Sequence, residues 1–432
     1  MYDNSLGVFM RIFLIIFILS ADIVAWSLFG LGTETKEKEV EVRTVLPMDI
    51  EYEKVAARSH LNSIREAMGL NTLLQNDLLN VAAQAHSDYL VANEESSHYE
   101  IEGDQKFVGV QPVDRTLYAN YASTYVSENL STHTYSAQDS IDGLFSAIYH
   151  RFGFLSQSID EIGVGTAQDK SKTSNSAFVY VMGNSHLERL CHDKSFSGTG
   201  KYYYKICKNE THRIGEKVFQ QAQVSNKRYN PEIIVYPYDG QIEVPPAFYD
   251  ESPDPLPLYD VSGFPVSIEF NDYYFKKLEL FSFKLFDNAD NEVKELLLMD
   301  KESDPHGRFT NKQFALFPLK RLAYNAQYRA EVSYNINNKV QTLSWAFTTQ
   351  KPTEELHTIE TKNATVHLSK GKSHILYVVP QNAHDMLKNI QFPTDVDIVF
   401  IDHNTLKITV MDEDLDDFEI KSKDRVIHVI MD

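Results

Sequence analysis

The chain is poor in cysteine and in positive charge, and it lacks the commonest catalytic signatures. Cys191 and Cys207 are its only cysteines, and two thiols by themselves cannot build a zinc knuckle. His192 and His212 would have to complete one, at a spacing that matches no standard site. Lys and Arg number 41 against 61 Asp and Glu, for a net charge of −20. A polyanion would be repelled over most of such a surface, so nucleic acid is excluded as a partner. No HExxH, no GxSxG and no Walker lysine loop is present, which removes three ready routes to an enzyme assignment. No equal-period repeat links the two strand-rich segments of the C-terminal half.

What is present begins with length. A chain of 432 residues exceeds one typical core, so several domains are expected. At 43% hydrophobic and 24% charged, its composition is that of a globular protein. Arg11 precedes an apolar run over 12–19; Ser20, Ala21 and Asp22 interrupt it, and a second run covers 23–31. The segment 1–32 reads as a signal peptide, with Ala21 and Ala25 as small residues for cleavage, or as an uncleaved signal anchor through 11–31. Asp22 would cost the anchor about 2.5–3.5 kcal/mol. Either reading exports the rest, to an extracellular, periplasmic or membrane-anchored location. In that compartment Cys191 and Cys207 pair into a disulfide that closes a short loop, worth about 3 kcal/mol.

A charged tether over 33–51 leads to a helix over 52–68, with Val55, Leu61, Ile64 and Met68 near one face and Gly69 as the stop. A second helix starts near Asn76 with two apolar stripes: Leu78, Ala82, Ala85 and Tyr89 beside Leu79, Ala83, His86 and Leu90. His86 therefore reads as a core histidine. The stretch 93–135 is irregular, polar and aromatic, as connections that line sites often are. Ser136 caps a third helix with His150 and Arg151 at its end. Two strands follow, over 162–164 and 178–182. Beyond a connector over 191–263, proline-dense from 244 onward, alternation predicts a β-sandwich of Ig-like size over 264–350 and a small all-β domain over 351–432.

The candidate polar site is His98, Glu128 and His150. Two imidazoles and a carboxylate are the groups of an open zinc site, and equally those of a base, an orienting group and an acid. Spacing alone leaves open a third reading, three unrelated polar residues on loops. Zinc or another divalent cation is the one cofactor this makeup suggests, with His98 and His150 as its ligands.

Several pieces occur in a fixed order: Leu61 to Arg65, Gly69 and Leu70, the helix with Ala82, Ala83 and His86, then Ser97-His98, Glu128-Asn129, His150-Arg151 and Ile162 to Gly165. Over roughly 52–190 the chain thereby resembles the CAP superfamily (cysteine-rich secretory, antigen 5 and pathogenesis-related proteins, or SCP-like domains), in its bacterial, cysteine-poor form. The resemblance implies an α+β fold, an α-β-α sandwich with a central cleft lined by two His and two acidic residues. It places His98, Glu128 and His150 in that cleft. The second acid has no clear counterpart; Glu100, Glu102 and Asp104 are candidates by composition. Asn129 is expected to hold a loop, and Arg151 to pair with Asp114 or Glu161.

Function is expected to be binding rather than catalysis: an exported module whose cleft takes a lipid, a cell-envelope component, a protein or a divalent metal. The alternatives are a metal-assisted hydrolase or peptidase using the same cleft, with Glu128 as base, and a structural or adhesive surface protein built on the β domains. The tyrosines between Tyr118 and Tyr135 and from Tyr202 to Tyr204 are candidates for a ligand-facing rim.

Overall fold

A computed structural model describes residues 35–39, 46–336, 338–412 and 414–432. The signal peptide or anchor read over 1–32 lies outside them. Among the described residues no helix is long and apolar enough to cross a membrane.

The first described strand, β1 (Thr35–Glu39), falls within the stretch read as a tether and pairs antiparallel with Asn389–Pro393, 350 residues away in the C-terminal sheets. A charged, alternating segment is as able to add backbone hydrogen bonds at a sheet edge as to stay solvated. Helix α1 (Ile50–Ala67) begins where the Asp49 side chain accepts the Tyr52 N–H, and ends at Gly69, whose φ of 74° suits a residue without a Cβ. After the short β2 (Leu74–Gln75), Asn76 caps α2 (Asp77–Asn93), accepting from the Leu78 and Leu79 N–H groups. Of the two stripes on α2, the one with Leu79, Ala83, His86 and Leu90 is wholly buried, joined by Ala82 and Tyr89, while Leu78 is exposed.

Helix α3 (Pro112–Tyr118) and β3 (Ser127–Thr132) occupy the irregular stretch. The expected third helix is two: α4 (Ala137–Ser146), capped by Ser136, and α5 (Ile148–Phe154). Ala147 between them takes an extended conformation, ψ 114°, so the chain turns before His150. The hairpin β4 (Glu161–Gln168) and β5 (Ser176–Gly183) completes a four-stranded sheet of order β2-β4-β5-β3.

Alternation along β5 divides the two layers of this domain. Phe178, Tyr180 and Met182 face Ala57, Leu61, Ile141 and Phe145 of α1 and α4. Ala177, Val179 and Val181 face Leu79, Ala83 and Tyr89 of α2. On that second face β4 presents glycine. A Cβ on Gly163 would lie 2.0 Å from the Leu79 backbone, and one on Gly165 2.2 Å from that of Ala83. The Gly-Val-Gly run is thus the seat on which α2 rests against the sheet.

Cys191 and Cys207 are disulfide-bonded across 16 residues. The β-sandwich that follows starts earlier than the sequence suggested. Ile233–Tyr236, inside the stretch read as connector, pairs antiparallel with Val266–Phe270 in the sheet completed by Gln313–Pro318 and Leu296–Met299. Glu279–Phe286, Gln327–Ile336 and Lys339–Thr348 form the facing sheet. The sandwich and the α-β-α domain share one core, in which Phe145 meets Tyr236 at a ring-centroid distance of 4.9 Å.

Arg151 fastens the two units. Its fully buried guanidinium donates to the carbonyls of Phe145 (2.6 Å) and Pro265 (2.7 Å) and to Ser267 Oγ (3.1 Å), over the rings of Tyr236 and Phe264. It does not pair with Asp114, which accepts the Gln111 N–H at the start of α3, or with Glu161, which holds Asn76 and Tyr121. Two carbonyls, a hydroxyl and two aromatic faces hold the guanidinium without a direct carboxylate partner, and Nη2 has no hydrogen-bond partner among the described residues. The C-terminal domain consists of two further sheets around a separate core that includes Leu376, Ile398 and Val429.

Candidate functional site

The site is built from a buried polar layer upward. His86, on the packed face of α2, has its Nδ1 2.9 Å from Glu100 Oε1 and its Nε2 2.9 Å from the Ser97 carbonyl. Both partners are acceptors, so the ring is held at both of its nitrogens. The other oxygen of Glu100 accepts the N–H groups of Val108 (2.7 Å) and Gly109 (3.2 Å). Arg115, on α3 and 1% exposed, donates from Nη2 to both oxygens of Glu128 (3.0 and 2.9 Å) and to the His98 carbonyl (3.1 Å). His86 and Arg115 are thereby interleaved with two carboxylates out of water, the arrangement that makes such burial tolerable.

Burial pushes the Glu128 carboxyl up, but the hydrogen bond from His98 and the charges of Arg115, His86 and His98 outweigh it and hold it below the usual carboxylate range. In Glu100, burial is likewise outweighed by His86, two backbone N–H groups and Arg115.

On this layer stand the two histidines of the candidate site. His98, in the loop after α2, has Nδ1 2.9 Å from Glu128 Oε1. His150, on α5, has Nδ1 2.7 Å from Glu251 Oε1, which also accepts the N–H groups of Tyr149 (2.9 Å) and His150 (3.1 Å). The two rings are stacked, with centroids 6.3 Å apart and planes at 22°. Their side chains are 37% and 15% exposed, whereas those of Glu128 and Glu251 are 1% and 0% exposed. A carboxylate only accepts, so in each pair Nδ1 donates, and in a neutral ring Nε2 is the nitrogen that offers a lone pair. Asn129 holds α5 in place, its Nδ2 donating to the His150 carbonyl at 2.8 Å.

Sequence reasoning named His98, Glu128 and His150 and missed Glu251. The acid opposite the second histidine comes from the proline-dense segment, where it is the only Glu between 244 and 263. Of the three acids considered between His98 and Glu128, Glu100 is buried against His86, Asp104 accepts the Tyr89 hydroxyl at 2.9 Å, and Glu102 is exposed. The proline density marked an extended connector, but nothing local told which carboxylate turned inward.

Two roles change with this geometry. Glu128 spends both oxygens on Arg115 and one of them also on His98, so it orients an imidazole and is neither a free base nor a free metal ligand. His98, Glu128 and His150 also do not bring three ligand atoms together. Among the described residues the group of three or more whose ligand atoms all lie within 4.8 Å of one another is Glu355, His357 and His374, in the C-terminal domain. The residues that a zinc knuckle would have needed are committed elsewhere: Cys191 and Cys207 to the expected disulfide, His192 to Glu188 and His212 to the Leu190 carbonyl. Of the tyrosine rim, Tyr125 lines a cavity of about 430 Å³ with Ile159, Met182 and Leu187, which includes neither cleft histidine. Tyr118, Tyr202 and Tyr204 are exposed.

Residues 58–184 match the family model of the cysteine-rich secretory protein family, CAP. Similar solved structures include an extracellular protein containing an SCP domain from Bacillus anthracis (19% identity, 31% of this chain and 40% of that one, TM-score 0.27). An outer surface protein of Borrelia burgdorferi aligns at 18% identity over 32% of this chain and 95% of its own, TM-score 0.28. A cysteine-rich secretory protein of Staphylococcus aureus aligns at 16% identity over 31% and 39%, TM-score 0.24. The alignments thus span less than half of the Bacillus and Staphylococcus chains. No curated protein matches the chain.

Proposed function

Taking as premise the CAP domain that residues 58–184 form, we propose that this chain is an exported binding module whose cleft takes a cation on the Nε2 atoms of His98 and His150. The observation that carries the reading is the pair of carboxylate-oriented imidazoles. Glu128 and Glu251 each hold an Nδ1–H, which leaves two stacked rings with acceptor nitrogens. Glu251 Oε2, buried beside them, has no hydrogen-bond partner among the described residues. A lining that accepts and does not donate suits a divalent cation, or a ligand that brings one, and disfavours a bare anion. The carboxylates behind the rings are the outer partners that fix a metal-binding histidine's tautomer and raise its basicity. Export is supported by the Cys191–Cys207 disulfide and by the apolar runs over 12–19 and 23–31.

The second reading is a hydrolase. A buried carboxylate on Nδ1 is also how a general base is oriented, which would make Nε2 of His98 or His150 the proton acceptor in place of Glu128. A lipid or envelope component is the ligand expected if the cleft takes no cation.

The deciding experiment is calorimetric titration of zinc chloride into the metal-stripped protein and into the His98→Ala/His150→Ala variant. The double variant is expected to bind fewer equivalents than the wild type. Equal stoichiometry and affinity in both proteins would reject the cation and direct attention to lipid and envelope ligands. Turnover that needs both histidines would establish the hydrolase.

A further inference from the structure

The C-terminal domain, which the CAP resemblance does not reach, carries a second cluster of ligating side chains. Glu355–Ile359 is the edge strand of its sheet and pairs in parallel with Ser373–Val378. The register sets Glu355 beside His374. Glu355, His357 and Ile359 lie on one face by the two-residue period, and the same face of the neighbouring strand carries His374, Leu376 and Val378. Ile359, Leu376 and Val378 are core. Further along that face apolar residues give way to two imidazoles and a carboxylate.

Their geometry is that of ligands. His357 Nε2 lies 3.2 Å from His374 Nδ1. A tetrahedral zinc ion bonded to two imidazoles at ~2.0–2.1 Å holds those nitrogens roughly 3.3–3.4 Å apart. Glu355 Oε2 is 3.9 Å from the same His374 nitrogen, and the three ligand atoms all lie within 4.8 Å of one another. The tautomer of His374 is set from behind: its Nε2 donates to the Ser369 carbonyl at 3.0 Å, so Nδ1 turns a lone pair toward His357 and Glu355. His374 is 1% exposed, while the Glu355 side chain is 64% exposed. Access is therefore from the side of the carboxylate.

We infer that Glu355, His357 and His374 form a divalent-cation site of the zinc class, distinct from the cleft, with a fourth coordination position open to solvent. Two imidazoles and one carboxylate suit zinc better than calcium or magnesium, which prefer all-oxygen cages. Bound there, the ion clips the edge strand to its neighbour and so favours the folded state. The inference does not rest on the cleft reading.

The test uses the full chain, stripped of metal and titrated with cobalt(II) for its tetrahedral absorption bands and with zinc chloride for affinity. Wild type, His98→Ala/His150→Ala, His357→Ala and Glu355→Ala are compared. Glu355 is exposed, so its replacement does not threaten folding. Tetrahedral bands retained in the cleft double variant and lost in His357→Ala are expected. Zinc affinity at this site should fall by at least about tenfold in His357→Ala and Glu355→Ala, since even outer partners of a ligand are worth about 10–100-fold. Bands and affinities unchanged in both C-terminal variants would overturn the site, as would bands lost only with the cleft histidines.

Discussion

Glu251 and His150 are 101 residues apart in the chain and meet at 2.7 Å between carboxylate Oε1 and imidazole Nδ1. The residue that orients the second cleft histidine therefore lies outside the stretch 58–184 that matches the CAP family. The proline-dense segment thus packs a carboxylate against α5 as well as connecting to the sandwich.

Replacing Glu251 with alanine leaves the Tyr149 N–H, the His150 N–H and His150 Nδ1 without their common acceptor. Since the Glu251 side chain is fully buried, the loss should be about 1–3 kcal/mol or more, read as a lower midpoint in urea unfolding. The imidazole resonances of His150 should move in the folded variant while those of His98 stay in place. An unchanged midpoint would mean that the segment does not close over His150.

Gly165→Ala tests the seat of α2. The new methyl would lie 2.2 Å from backbone atoms of Ala83, which cannot turn aside as a side chain can. Overpacking of this kind costs about 1–3 kcal/mol and often more when backbone must shift. Gly143→Ala, in the exposed middle of α4 with nothing within 4 Å of the added methyl, should instead gain up to about 1 kcal/mol from helix propensity. Thermal unfolding of the two variants should therefore move in opposite directions.

The pH dependence of stability should show two opposed limbs. Glu269 is half-buried in the sandwich with its Oε2 shut from solvent, and desolvation pushes its carboxyl from 4.5 up to about 8. It keeps its proton in the fold while the unfolded chain has released it, so its contribution is full below about 4.5 and is lost as pH rises to about 8, at no more than about 1.4 kcal/mol per pH unit. Glu100 and Glu128 are held below 4.5. Their contribution is full above that value and disappears as pH falls through their lowered values. Glu269→Gln should flatten the alkaline limb in denaturant titrations between pH 5 and about 8 and leave the acid limb in place. An alkaline limb that survives the substitution would show that another group produces it.

The sequence by itself determined the features that short-range physics controls. Ser136 and Asn76 cap helices because a side-chain oxygen reaches an N–H two or three residues on. Gly69 ends α1 because its backbone accepts a positive φ. Phe178, Tyr180 and Met182 face one layer because a strand alternates every residue. The ordered motifs placed His98, Glu128 and His150 in one domain, and an export reading paired Cys191 with Cys207.

Tertiary structure alone decided the rest, and the reason is the range of polar contacts. Arg151 carries no periodic signal for carbonyls 114 residues away, and Glu251 resembles every other acid in an extended segment until it meets His150. Glu355 and His374 become neighbours only through the register of a parallel pair. Hydrophobic burial leaves a period in the chain because many residues share one face. A buried ion pair or a ligand set needs only one residue from each element, so it is written nowhere until the elements have packed.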